Sequence, residues 1–160
     1  MTQIAMQLKE LHLQGMYQCW QSIVETRKHH ELSFKEGLEL LLQSEAQQRS
    51  NNRFDRLSKN ARFRYKASIE EINLDASRGL DKQYIYELAT GEYIKKGESV
   101  LITGATGCGK SFIASALGHH ACQQGYKVCY FNTQKLLIKT KMARLDGTIH
   151  KYLDTLLKAQ

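Results

Sequence analysis

Residues 99–131 read SVLITGATGCGKSFIASALGHHACQQGYKVCYF, and this stretch decides the fold that the sequence predicts. Ser99 to Thr103 is a short β-branched run of the kind found in a buried strand. A glycine-rich turn follows. Residues 110–124 then place Ile113, Ala116, Leu117 and His120 on one helical face, and Gly125 stands where a C-terminal cap glycine belongs. Lys127 to Phe131 reads as a second strand. Strand, helix and strand in this order predict a βαβ unit with a parallel pair.

The turn between the first strand and the helix, Gly104 to Ser111, reads GATGCGKS, a complete match to G-x-x-x-x-G-K-[ST]. At average residue usage, a chance match in a chain of this length has odds of about one in two hundred. Each residue has a physical task. Gly104, Gly107 and Gly109 let the backbone turn tightly without Cβ clashes. The N–H groups of Gly104, Ala105, Thr106, Gly107, Cys108 and Gly109 then face phosphate oxygens at the positive end of the following helix. Lys110 reaches the β- and γ-phosphates of a nucleotide, and the Ser111 hydroxyl ligates Mg²⁺. Cys108 fills a variable position. The bland reading makes it a small tolerated side chain; the sharper one puts a thiol close enough to the phosphates for alkylation to block nucleotide.

Downstream, Thr133 starts a helix carrying Leu136, Leu137 and Thr140. Asp146-Gly147 breaks it, and Thr148 starts a last helix with Ile149, Tyr152, Leu153 and Leu156 aligned. Upstream, residues 67–97 read as a connector. Periodicity breaks from Asn73 to Gly79, Asp81 caps a short helix with Ile85, Leu88 and Ala89 on its face, and Gly91 and Gly97 punctuate the chain. The first 66 residues read as helical. Ile4, Leu8 and Leu11 share a face, Leu13, Met16, Trp20 and Ile23 continue the spacing, and Gly15 is the expected break. Ser33 with Glu36 has the form of a capping box. The helix it opens is expected to run to about residue 66, carrying Phe34, Leu38, Leu41 and Leu42.

The chain has 160 residues and a formal charge of +7. Residues 1–66 carry +4, 67–97 carry −2 and 98–160 carry +5. A basic chain fits an anionic partner. Residues 49–66 concentrate seven basic side chains against one acid. Arg49, Arg53, Arg56, Lys59, Arg62 and Lys66 advance by three or four and would form a cationic strip, opposite Phe54, Leu57, Ala61 and Tyr65. A solvated helix face and a nucleic-acid contact both fit this run. A DNA contact of this kind would be sequence-tolerant and steeply salt-dependent.

No run approaches the roughly 18 apolar residues of a membrane span, and the N-terminus lacks a small-residue cleavage site. The four cysteines, Cys19, Cys108, Cys122 and Cys129, contain no Cys-x-x-Cys spacing. They read as buried or half-buried free thiols in a reducing cytoplasm, with little support for a metal site. Proline is absent, where average usage would give roughly eight.

Several stretches together resemble the IstB-type transposition helper ATPases, relatives of the DnaC-type helicase loaders. They are LHLQGM at 11–16, FKEGLELLLQSEAQQR at 34–49, ARFRYKASIEEINLD at 61–75, GLDK at 79–82 and, most strongly, residues 100–131. The resemblance implies a helical N-terminal region (1–66), a connector (67–97) and the first βαβ part of an AAA+ P-loop domain (98–160). It implies ATP and Mg²⁺ as ligands, DNA and a transposase as partners, and assembly into homo-oligomers. A replicative helicase is the partner under the helicase-loader alternative. A non-catalytic fragment that binds DNA or a partner is the reading from another class. A small-molecule kinase has the loop but gives no reason for the basic helix.

Ala105 stands where the family usually has Pro, and Ser111 where it usually has Thr. Proline is also usual near Tyr65. Hydrolysis in this class needs an acidic motif on a later strand, a sensor polar residue and a neighbour's arginine. After Phe131 no such strand is recognisable, and Asp146 and Asp154 fall in helical surroundings. The expectation is a chain truncated before that strand, which binds ATP without hydrolysing it.

Overall fold

A computed structural model describes residues 3–27, 30–75 and 79–157. The chain divides into two compact units, 1–53 and 54–160. Eight helices are described: α1 (Gln3–Glu10), α2 (Gln14–Glu25), α3 (Phe34–Ala61), α4 (Lys82–Ala89), α5 (Glu92–Lys96), α6 (Lys110–Gln123), α7 (Thr133–Leu145) and α8 (Ile149–Leu157).

In the first unit, the break between α1 and α2 falls at His12, which takes φ 56°, and not at Gly15. Gly15 has a different task. It lies inside α2 where that helix meets α3, and a Cβ there would stand 2.5 Å from the Ser44 carbonyl oxygen. The close approach brings polar groups together. The Gly15 N–H donates to Glu45 Oε2 at 2.8 Å, the Met16 N–H to the same oxygen at 3.2 Å, and the Ser44 hydroxyl to the Gly15 carbonyl at 3.0 Å. Arg49 Nε closes the set on Glu45 Oε1 at 2.8 Å. The carboxylate is buried, and these charge-assisted bonds offset its desolvation. The Arg49 hydrogen bond is the main reason that the Glu45 carboxyl sits below its ordinary value, with the Met16 and Gly15 N–H groups adding to it. The capping box forms as expected: the Ser33 N–H donates to Glu36 Oε2 at 2.8 Å, and the Glu36 N–H to Ser33 Oγ at 3.3 Å.

The second unit is built around α6. Ile113, Ala116 and Leu117 pack with Ala67, Ile69, Ile72, Ile85 and Leu88 in one apolar core. A smaller cluster joins Leu57 and Ala61 to Cys122. A leucine or isoleucine of this kind contributes about 1.5–3 kcal/mol when fully buried. Phe63 lies against the α6 backbone, since a Cβ at Gly118 would stand 2.5 Å from its ring. His119 ties α6 to the segment leaving α3. Its ring rests 4.2 Å from the Phe63 ring centroid. Its Nε2 is 3.3 Å from the Tyr65 carbonyl oxygen and its Nδ1 is 3.0 Å from Ser58 Oγ. A carbonyl can only accept, so Nε2 carries the proton and, in the neutral ring, Nδ1 accepts from the Ser58 hydroxyl. Asp81 caps α4 through the Gln83 N–H at 2.8 Å. The cap of α7 is Asn132, one residue before the expected Thr133. Gly125 and Gly147 take positive φ just past α6 and α7, as expected. The expected break over 73–79 includes residues 76–78, which lie outside the described ones.

The parallel sheet is not there. Among the described residues no β-strand forms, and neither 99–103 nor 127–131 belongs to a sheet. The expected burial holds only in part, because Val100 and Ile102 pack on the core while Leu101, expected inside a buried strand, is 87% exposed. What is missing is the ladder. The Tyr130 N–H donates to the carbonyl of Ala61 at 3.0 Å, one of the end carbonyls that a helix leaves unpaired. A two-stranded parallel pair would expose a sheet face and two edges, and the helix end offers a competing acceptor. The architecture of the described residues is therefore helical.

Helix α3 ends at Ala61, short of the expected residue 66. Arg62 follows in the left-handed region at φ 57°, a helix-terminating conformation taken here without a glycine. The thiols also differ from expectation: Cys122 is buried and Cys19 half-buried, but Cys108 and Cys129 are exposed.

Candidate functional site

The glycine loop joins the core to α6. Val100 and Ile102 anchor its entry on the core, and Ile113, Ala116 and Leu117 anchor the helix that leaves it. Between these anchors, residues 103–108 are exposed. Gly104, Gly107 and Gly109 take φ 146°, 84° and 93°, values at which a Cβ is strained. A Cβ at Gly104 would also stand 3.0 Å from Cys108 Sγ. The backbone is therefore wound into a cradle that these glycines permit.

Helix α6 begins at Lys110 with Gly109 as its N-cap, and no side chain caps it. The Phe112 and Ile113 N–H groups donate to the Gly109 carbonyl, both at 3.0 Å, whereas the N–H groups of Lys110 and Ser111 precede the first acceptor the helix can offer and stand at its positive end. Lys110 Nζ donates to the carbonyl oxygens of Gly104 at 2.9 Å and Ala105 at 2.6 Å, and stands 3.8 Å from Cys108 Sγ. Ser111 lies in the first turn, its carbonyl accepting from the Ser115 hydroxyl at 2.8 Å. An exposed cradle, a positive helix end and an ammonium at its mouth suit an anion of several oxygens. The eight residues Gly104 to Ser111 are thus contiguous in space as well as in sequence.

The six basic residues expected to form one strip do not share one helix. Arg49, Arg53, Arg56 and Lys59 lie on α3. Arg49 is held by Glu45, although its side chain remains 67% exposed. Arg62 and Lys66 lie past the end of α3. Lys66 lines a cavity of about 390 Å³ that is also lined by Asp55, Glu70 and Glu71. Arg62 lines another cleft, together with Arg64, Lys135 and Lys139. The last three are absent from the expected strip. Their signal in the sequence is weak: Arg64 stands two residues from Arg62, and Lys135 and Lys139 are four apart in a separate helix.

Among the described residues no helix is long and apolar enough to cross a membrane.

Residues 6–160 match the family model described as IstB-like ATP binding protein. The chain is 39% identical over 153 residues to an insertion-sequence IS1162 protein of Pseudomonas fluorescens described as ATP-binding, covering 95% of this chain and 66% of that protein. It is 36% identical over 149 residues to the Sinorhizobium fredii insertion-sequence protein y4uH, also described as ATP-binding, covering 93% and 60%. It is 25% identical over 160 residues to the corresponding IS21 protein of Pseudomonas aeruginosa, covering 100% and 60%. The chain thus spans about three fifths to two thirds of the length of these relatives.

Proposed function

The chain belongs to the family of IstB-like ATP-binding proteins, and from that premise we propose that it binds ATP with Mg²⁺ at Gly104–Ser111 and assists DNA transposition alongside a transposase. The observation that carries the nucleotide reading is the wound glycine loop with Lys110 at its mouth. The N–H groups of the loop and of the first turn of α6 would hold phosphate oxygens. Lys110 would exchange two neutral carbonyl acceptors for ionised ones, which form stronger hydrogen bonds. The Ser111 hydroxyl would ligate Mg²⁺. ATP, when bound, supplies a charged group whose presence or loss can bias the loop and α6.

The names of the relatives favour transposition over the helicase-loader alternative, since the matched proteins are described as belonging to insertion sequences. DNA is the proposed anionic partner, and Arg53, Arg56 and Lys59 on α3 are proposed as phosphate contacts, with Arg49 shared between Glu45 and DNA. Assembly into homo-oligomers and a cytoplasmic location follow from the same reading.

Isothermal titration with Mg²⁺-ATP, and anisotropy of a labelled duplex over a salt series, test the two halves separately. Saturable one-site ATP binding and a DNA affinity that falls steeply with salt are expected. No ATP heat would refute the loop reading, and a DNA affinity flat with salt would refute the phosphate contacts.

A further inference from the structure

Among the described residues, two buried positions carry polar or charged side chains, Glu45 and Ser115. Glu45 has its partners in the first unit. Ser115 lies inside α6 at 0% exposure, in the stretch that supplies Ile113, Ala116 and Leu117 to the core. Its hydroxyl donates to the Ser111 carbonyl at 2.8 Å.

That carbonyl does not need the bond. In an α-helix it already accepts from the N–H four residues on, which is that of Ser115 itself. The helix gains nothing from it either. A serine hydroxyl that bonds back four residues slightly destabilises and often bends the helix that carries it, and alanine is the better helix former. A fully buried position also favours an apolar side chain, and the residues on either side, Ala114 and Ala116, are alanines. Alanine would therefore serve the core and the helix at least as well. The hydroxyl calls for a reason beyond the stability of α6.

The reason lies at the other end of the bond. Ser111 is the residue whose hydroxyl is proposed to ligate Mg²⁺. Its neighbours are held in place: Lys110 Nζ by the carbonyls of Gly104 and Ala105, Phe112 by the core and by the Tyr65 ring, with centroids 6.4 Å apart, and Ile113 by burial. A second donor on the Ser111 carbonyl fixes the tilt of the peptide joining Ser111 to Phe112, and with it the direction of the Ser111 side chain. Mg²⁺ demands near-ideal octahedral geometry with bonds of about 2.0–2.1 Å, so a change of tilt that a long, flexible lysine would absorb is costly to a short serine.

We propose that Ser115 is a positioning residue for Mg²⁺: through the Ser111 carbonyl, its hydroxyl sets the tilt of the first turn of α6 at which the Ser111 hydroxyl meets the ion. This rests on the proposed Mg²⁺-ATP reading of Gly104–Ser111 and adds to it a residue outside the loop.

Isothermal titration of the 160-residue chain with ATP, in Mg²⁺ and in EDTA, tests this, because a positioning role moves only the first. The parent should bind ATP more tightly with Mg²⁺ than without. Ser115→Ala should lose about tenfold of that advantage, the lower end of the effect of removing a hydrogen bond that orients a metal ligand, and should keep its affinity in EDTA. Its melting temperature should equal or exceed the parent's. Ser115→Cys keeps the shape with a much weaker donor and should resemble Ser115→Ala. An equal loss in Mg²⁺ and in EDTA would show a merely structural role and overturn the proposal, as would an undiminished Mg²⁺ advantage in Ser115→Ala. A Ser115→Cys protein that behaved as the parent would make volume, not the bond, responsible, with the same result. A parent that bound ATP equally in both solutions would take Mg²⁺ away from Ser111 and defeat the proposal while sparing the loop. A parent that bound no ATP would defeat the loop reading as well.

Discussion

Lys110 Nζ donates to the carbonyl oxygen of Gly104 at 2.9 Å, which draws the end of the glycine loop back over its beginning. The same ammonium reaches Ala105. The two carbonyls hold the charge where an incoming phosphate would compete for it. On the proposed reading, binding would replace hydrogen bonds to neutral acceptors by stronger ones to ionised oxygens, in a loop whose glycines already hold their positive φ.

Removing that ammonium should abolish the exchange. Lys110→Ala is expected to weaken Mg²⁺-ATP binding by about 10- to 150-fold, the equivalent of about 1.5–3 kcal/mol for a charged hydrogen bond. Thermal stability should change little, since the ammonium bonds only to groups of the exposed loop. Titration calorimetry reads the first and a melting curve the second. A variant that bound ATP like the parent would remove the lysine from the site.

Cys108 offers a chemical probe of the same loop. Its thiol is exposed and stands 3.8 Å from Lys110 Nζ. It also lies where a Cβ on Gly104 would press. A group added to the sulfur therefore intrudes on the cradle. Iodoacetamide treatment should abolish ATP binding, and prior Mg²⁺-ATP should protect Cys108 from the reagent. Cys129 is exposed as well, so a Cys108→Ser variant is the control and should keep binding after the same treatment. Alkylated parent protein that still bound ATP normally would defeat this prediction.

What is legible in the sequence divides along local and non-local lines. The glycine loop, the Ser33–Glu36 capping box and the Asp81 cap depend on neighbours within a few positions, and they appear where expected. Strand pairing does not. The β-branched run brings Val100 and Ile102 to the core but leaves Leu101 exposed, and it carries no information on where a backbone N–H finds its acceptor. Tyr130 finds Ala61. The end of α3 is equally hidden, because Arg62 adopts a left-handed conformation without the glycine that normally signals it. Gly15 shows the converse error. It reads as a breaker, but its missing side chain serves the approach of α2 to α3.

That approach gives the first unit a pH dependence. Glu45 is held below the ordinary value of 4.5, chiefly by Arg49 and further by the Met16 and Gly15 N–H groups, against the opposing effect of its burial. A carboxyl lowered in the folded state contributes stability above its unfolded pKa and loses it as pH falls through the folded value. The first unit should therefore loosen below pH 4.5, and the single tryptophan, Trp20 in α2, should report this by fluorescence. Glu36, lowered by the Ser33 hydroxyl and backbone, titrates over the same range. The diagnostic is thus the comparison with Glu45→Gln. That variant should be less stable at neutral pH, by about 2 kcal/mol for the lost charge-assisted bonds, with a flatter acid limb. An equal acid dependence in both proteins would clear Glu45 of the role.

Binding and turnover need different residues, and these 160 residues supply them unequally. In the proposed site, the cradle, Lys110 and Ser111 would address the phosphates. Hydrolysis also needs a carboxylate to hold Mg²⁺ and orient water. The two acids that follow the loop, Asp146 and Asp154, are exposed, one as the C-cap of α7 and the other within α8. Neither ends a strand beside the loop. Phosphate release from Mg²⁺-ATP is therefore expected not to exceed a protein-free blank, in a preparation that calorimetry shows to bind ATP. Contaminating ATPases are excluded by running Lys110→Ala in parallel. Mg²⁺-dependent release in the parent that vanished in Lys110→Ala would mean that a carboxylate within these residues does reach the nucleotide, and that the chain turns ATP over without a later acidic strand.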